Sequence, residues 1–150
     1  MEQAHRRDAP PANVLLVEDS PGDVRLTQEA FRDANVRLHV AVGGVEALSF
    51  LQREGSHASA PRPDIILLDL NLPKMDGRAL LGRIKEDDAL RMIPTVILTT
   101  SDAHADIEQS YKLQANCYLC KPVQLESFES VVKSFNDIWL TVVRLPHRER

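Results

Sequence analysis

The chain has 150 residues, 43% of them hydrophobic and 27% charged, which suits one folded domain and excludes disorder as the default state. Lys and Arg number 18 against 22 Asp and Glu, a net charge of −4 that argues against nucleic acid or an anionic membrane as partner. Two cysteines are too few for a disulfide scaffold, no apolar run could span a bilayer, and the amino terminus carries no secretory signal, so a cytoplasmic protein without a membrane anchor is expected.

Residues 1–12 are polar and end in Ala9-Pro10-Pro11-Ala12, which predicts a flexible leader. Val14-Leu15-Leu16-Val17 predicts a first strand, stopped by Glu18-Asp19-Ser20-Pro21-Gly22. Val24, Thr27, Phe31 and Ala34 then share one face at helical spacing. Residues 38–42 alternate and read as an edge strand, and Val45, Leu48 and Leu51 mark a second helix. The Gly- and Pro-bearing stretch 55–63 is a loop long enough to expect mobility. Ile65-Ile66-Leu67-Leu68 is apolar without alternation, the pattern of a strand covered on both faces, and Asp69-Leu70-Asn71-Leu72-Pro73 breaks it. Leu80, Leu81 and Ile84 carry a third helix, residues 95–98 a fourth strand, Ile107 and Tyr111 a fourth helix, and residues 117–119 a fifth strand. Lys121-Pro122 ends that strand, and a long last helix is expected from Leu125 to Val143.

Five strands alternating with five helices imply an α/β fold, a doubly wound five-stranded parallel sheet with right-handed crossovers. Ligands of such sheets lie at the carboxyl ends of the strands. Collected there are Glu18 and Asp19 after the first strand, Asp69 after the third, Thr99 after the fourth and Lys121 after the fifth. Singly, Asp19 reads as a helix cap, Thr99 as an ordinary strand residue and Lys121 as a solvated charge. Together, three carboxylates on one edge repel unless a cation neutralises them, and oxygen donors without His or Cys suit Mg2+ better than Zn2+. A carboxylate can also attack phosphorus to give an aspartyl phosphate, whose charge Lys121 and the Thr99 hydroxyl could meet.

Four separated motifs, Leu16-Val17-Glu18-Asp19-Ser20-Pro21, Leu67-Leu68-Asp69 running on to Lys74-Met75-Asp76-Gly77, Ile97-Leu98-Thr99-Thr100, and Tyr118-Leu119-Cys120-Lys121-Pro122, stand in the order of a receiver domain. Thr99 and Lys121 follow Asp69 by 30 and 52 positions, the spacing of the chemotaxis receiver. Over about residues 13 to 135 the chain resembles the receiver domain of two-component response regulators. The resemblance implies a flavodoxin-like strand order 2-1-3-4-5 and a phosphorelay switch served by a sensor histidine kinase. It implies Asp69 as phosphoacceptor, with Glu18, Asp19, Asp69 and the main-chain carbonyl of Asn71 around Mg2+. Thr99 and Tyr118 would form the switch, Lys121 would contact the phosphoryl oxygens, and the Lys121–Pro122 bond is often cis in such domains. One departure is Thr100, where the family usually has a small residue, so the lifetime of the phosphorylated state does not carry over.

Pro21-Gly22-Asp23 after the acidic pair, the long loop before the third strand, Leu98-Thr99-Thr100-Ser101, Asn116-Cys117-Tyr118, and a carboxyl-terminal run through Phe135, Trp139 and Pro146 are similar to the stand-alone regulators partnered with bacterial phytochromes. That implies a phytochrome as kinase. The domain is expected over residues 13–145 with a tail at 146–150, and 150 residues leave too little chain for an effector domain.

Two other classes compete. Aspartate-nucleophile phosphatases usually carry a second Asp two positions on, where this chain has Asn71; a pseudo-receiver would not need a complete acidic site. Cys117 and Cys120 fall on opposite faces of a strand and read as structural, while the histidines show no ligand spacing. Finally, Leu125, Phe128, Val132, Phe135, Trp139 and Val142 form one apolar stripe, and Ile138, Leu140, Val143 and Leu145 widen it. A homodimer on helix five with the strand-five and helix-four face is expected.

Overall fold

The computed structural model describes residues 10–122, 125–142 and 144–146. Most of the expected leader and tail, Val143, and the side chains of Leu125 and Val142 lie outside the described residues. The elements in order are β1 (Ala12–Val17), α1 (Pro21–Ala30), β2 (Val36–Ala41), α2 (Gly44–Gln52), β3 (Ile65–Leu68), α3 (Gly77–Glu86), β4 (Thr95–Thr99), α4 (His104–Lys112), β5 (Cys117–Cys120) and α5 (Leu125–Asp137). All strands pair in parallel, in the order β2-β1-β3-β4-β5.

Alternation along the strands divides the core into two layers. Leu15, Val17, Ile66, Leu68 and Ile97 face α2 and α3, against Leu48, Phe50, Leu51, Leu80, Leu81 and Ile84. Val14, Leu16, Ile65, Leu67, Val96 and Leu98 face α1 and α5, against Phe31, Phe128, Val132 and Phe135. The unbroken apolar run of β3 is buried at every position because both layers claim it.

Several boundaries differ from the sequence expectation. The leader stops short of residue 12: Ala12 pairs with Val36, and the Asn13 N–H donates to Asp64 Oδ2 at 2.8 Å, which draws the chain into the strand. Val45 is 63% exposed, because steps of three residues rotate about 60° per step and carry it off the face of Leu48 and Leu51. On α4, Ser110 is buried and Tyr111 is half exposed, the reverse of what the apolar pattern suggests. The stretch 55–63 contains a 3₁₀ turn at Gly55–His57 and is tied down where Arg62 donates to the Ala89 carbonyl at 2.7 Å. The last helix keeps α geometry only to Asp137 and widens to a π-type turn over Ile138–Val142.

α3 begins against the end of β3. Asp76 caps it by accepting from the Arg78 N–H at 2.8 Å, and the Gly77 N–H donates to the Leu70 carbonyl at 3.0 Å. A Cβ on Gly77 would stand 2.4 Å from the Asp69 carbonyl oxygen and 2.5 Å from Leu70 Cα, both backbone atoms. Gly77→Ala is therefore expected to destabilise the fold by about 1–3 kcal/mol, as overpacking does. The measurement is urea unfolding: a lowered midpoint at unchanged slope is expected, and a midpoint equal to wild type would show that the chain can retreat there.

Candidate functional site

Parallel register brings the strand ends to one edge. Val17 pairs with both Ala41 and Leu68, Leu68 with Ile97, and Thr99 with Cys120. The ladder then continues one residue further: the Glu18 N–H donates to Ala41, Asp69 to Val17 and Lys121 to Thr99, at 3.0, 3.0 and 2.6 Å. These bonds fix the backbone from which each expected site residue projects.

The Lys121 ammonium is the centre of the site. It donates to Glu18 Oε1 in a short contact, to Asp23 Oδ2 at 2.9 Å and to Asp69 Oδ2 at 3.1 Å. Glu18, Asp69 and Lys121 are only 2%, 6% and 7% exposed, so each charge is removed from water and depends on the others. Burial raises the Glu18 carboxyl to about 7, against the opposing pull of Lys121. Burial also works against the Lys121 ammonium, yet its bonds to Glu18 and Asp23 and the nearby Asp69 hold its pKa above the ordinary value.

Asp19 is exposed at the mouth of the site, and one carboxylate oxygen each from Glu18, Asp19 and Asp69 lies within 4.8 Å of the others. Three hard oxygen donors in that space fit a small divalent cation, and nothing in the set offers the soft ligands zinc prefers. Asp69 Oδ1 accepts the Asn71 N–H at 3.1 Å, and Asn71 Nδ2 reaches the fully buried Thr99 hydroxyl at 3.4 Å. The expected residues Glu18, Asp19, Asp69, Asn71, Thr99 and Lys121 thus converge.

Tyr118 stands apart from them. Its hydroxyl donates to the Ser101 carbonyl at 2.8 Å, and Ser101 Oγ donates to Asp106 Oδ2 at 2.6 Å. Asp106 also pairs closely with Arg78 of α3. The tyrosine is therefore fastened to the β4–α4 loop rather than to the carboxylates. The Lys121–Pro122 peptide is trans, the form an X–Pro bond favours by about 0.5–1 kcal/mol.

Sequence reasoning missed Asp23 as a partner of Lys121, since an acid in the first turn of a helix reads as a dipole partner. It also missed Arg78, Ser101 and Asp106, which carry no signal in residue type or spacing. Cys117 packs with the α1–α5 layer while Cys120 is exposed, in keeping with their opposite faces. Among the described residues no helix is long and apolar enough to cross a membrane.

The family model of the response regulator receiver domain matches residues 14–133. Over 139 residues the chain is 45% identical to the response regulator Rcp1 of Synechocystis sp., covering 91% of this chain and 95% of that protein. It is similar to the solved structure of the phosphorylated cyanobacterial phytochrome response regulator RcpA, with a TM-score of 0.89 and 43% identity over 91% of this chain and 99% of that one. The Mn2+-bound form of Rcp1 gives a TM-score of 0.85 at 43% identity, over the same shares of the two chains.

The burial of Lys121 among carboxylates makes a direct prediction. Lys121→Met leaves Glu18 and Asp69 as unpaired buried like charges, and breaking such a pair costs about 3–5 kcal/mol. In a chelating buffer the variant should unfold at lower urea than wild type. Millimolar Mg2+ should raise its midpoint more than that of wild type, since the cation replaces the lost charge. Equal Mg2+ effects on the two proteins would contradict this account of the site.

Proposed function

The chain belongs to the response regulator receiver family, and from that premise we propose that Asp69 accepts a phosphoryl group from a sensor histidine kinase. As a member of that family it is a signalling protein of the two-component type. The single observation that carries the Asp69 assignment is its carboxylate at the end of the central strand, 3.1 Å from the Lys121 ammonium and within 4.8 Å of oxygens of Glu18 and Asp19.

An Asp69 oxygen attacks phosphorus, the phosphorus–nitrogen bond to the kinase histidine breaks, and the phosphoryl group ends as a mixed anhydride on Asp69. Lys121 pairs with the phosphoryl oxygens, and the Thr99 hydroxyl, freed from Asn71, donates to another. Glu18, Asp19, Asp69 and the Asn71 carbonyl would hold Mg2+, which supplies charge neutralisation of the phosphoryl group. Thr99 moving toward that group, with Tyr118 following, would couple the site to the α4–β5–α5 face. Asn71 offers no acid where a phosphatase carries its second Asp, which favours a phosphorylated switch over a turnover enzyme.

The likeness to RcpA, named a phytochrome response regulator, supports a phytochrome as the kinase. We assign this switch to the cytoplasm, with residues 13–145 as the acting domain and protein contact as its means of signalling. We also retain the homodimer on α5 with the α4 and β5 face. Trp139 and Leu140 pack partly against the α1–α5 layer and Leu145 is buried, so the apolar excess is smaller than the sequence suggests. Among the described residues Tyr111 and Ile138, at 50% and 54% exposed, are the large apolar side chains that remain open there.

Incubation with Mg2+ and acetyl phosphate tests the phosphoacceptor by intact mass. Wild type should gain one hydroxylamine-labile phosphoryl group and Asp69→Asn none, because an amide is a poor nucleophile. Labelling of the variant, rapid multiple turnover, or an unlabelled wild type would each sink the assignment. Light scattering at micromolar concentration tests assembly. A dimer mass is expected, reduced to a monomer by Ile138→Glu; a monomer in both proteins, with and without acetyl phosphate, excludes the dimer.

A further inference from the structure

Asp23 lies outside the set of carboxylates that crowd around Glu18, Asp19 and Asp69, yet it holds Lys121 at 2.9 Å. Its placement follows from the start of α1. Ser20 is the cap, accepting from the Asp23 N–H at 3.3 Å, and Pro21 opens the first turn. Asp23 is the third helical residue, the position from which an acidic side chain ordinarily reaches back to the backbone N–H of the cap. Here that N–H is taken: Ser20 donates it to Glu18 Oε2 at 3.2 Å. The Asp23 carboxylate is thereby released from capping and points across to Lys121 instead.

The consequence depends on what the other two partners of Lys121 do. An ammonium has three N–H donors, and they are spent on Glu18, Asp23 and Asp69. A divalent cation on Glu18 and Asp69 would repel the ammonium, and a phosphoryl group on Asp69 would remove that carboxylate's charge. Asp23 alone is claimed by neither. It also sits at a helix terminus, anchored on both sides: its carbonyl accepts the Thr27 hydroxyl at 2.8 Å, and Thr27 is 1% exposed. We propose that Asp23 is a positioning residue, the partner onto which the Lys121 ammonium shifts when a divalent cation takes the Glu18–Asp19–Asp69 oxygens, so that the cation enters while Lys121 stays in reach of Asp69. This rests on the assignment of Asp69 and its cation site given above, and adds the residue that keeps two positive charges compatible in one small space.

A double-mutant cycle on Mg2+ affinity, read by titration calorimetry, tests it. With Lys121 present, Asp23→Asn leaves the ammonium no charged partner besides Glu18 and Asp69, and Mg2+ binding should weaken roughly tenfold, the worth of one charge-assisted hydrogen bond. Asp23→Glu keeps the charge and should stay within about threefold of wild type. In the Lys121→Met background the same Asp23→Asn change should shift affinity by less than about threefold, the direct effect of a screened charge at a distance. The rate of Asp69 labelling by acetyl phosphate at saturating Mg2+ gives a second reading, needing no Lys121 variant: Asp23→Asn should again lose about tenfold. Equal weakening with and without Lys121, or no change in either measurement with Lys121 present, would overturn the proposal. A wild type that binds Mg2+ but gains no label would count against Asp69 as acceptor, and the affinity cycle would still judge Asp23.

Discussion

A buried ammonium shared by three carboxylates is the interaction on which the rest of this structure depends. Glu18, Asp69 and Lys121 could not be buried separately, because an unpaired ion inside a protein costs several kcal/mol. The three come from β1, β3 and β5, so the pairing holds only if those strands end in register. Asp23 adds a fourth group from the helix that follows β1. The site is thus a test of the whole sheet: a slip of β4 or β5 by one residue would turn Thr99 and Lys121 to the other face and leave the acids without their cation.

The same edge explains the tight start of α3. Asp69 must stand clear of the sheet while its backbone still bonds to Val17, and the chain then turns through Leu70 to Asp76 before winding into α3. Only a residue without a side chain can open that helix where Gly77 sits against the Asp69 carbonyl. The layers beneath are built for rigidity, with β3 covered on both faces and Leu80, Leu81 and Ile84 fully buried. Rigid strands with polar ends give a fixed frame for charges that would otherwise spread apart.

Much of this was legible in the sequence. Strand-end acids stand out because Glu18 and Asp69 each follow four consecutive apolar residues, and Lys121 because it closes a short strand before Pro122. Other residues left no such mark. Asp23 reads as a first-turn acid, and its release from capping depends on Glu18 taking the Ser20 N–H, a contact no spacing reveals. Val45 and Tyr111 are apolar yet exposed, because on short helices a small rotation, not residue type, decides which face meets the core. Beyond Asp137 the turn is π-type, and Trp139 and Leu140 pack partly against the layer beneath, so apolar type there overstates the open surface.

The helices are not held equally, and the difference bears on how a charge change at Asp69 could reach a partner. α3 buries Leu80, Leu81 and Ile84, whereas Ser110 is the one residue of α4 that is fully covered. The loop leading into α4 is held by polar contacts: Ser101 to Asp106, Tyr118 to Ser101, and Arg78 to Asp106. Such bonds exchange readily with water, so an element secured by them opens at a smaller cost than one secured by buried apolar area. That loop begins one residue after Thr99, whose hydroxyl touches Asn71 beside Asp69. A helix held by little buried apolar area is therefore joined through a short polar loop to the buried charges, and on the role proposed for Thr99 a bond won or lost there would bear on an element that moves at small cost.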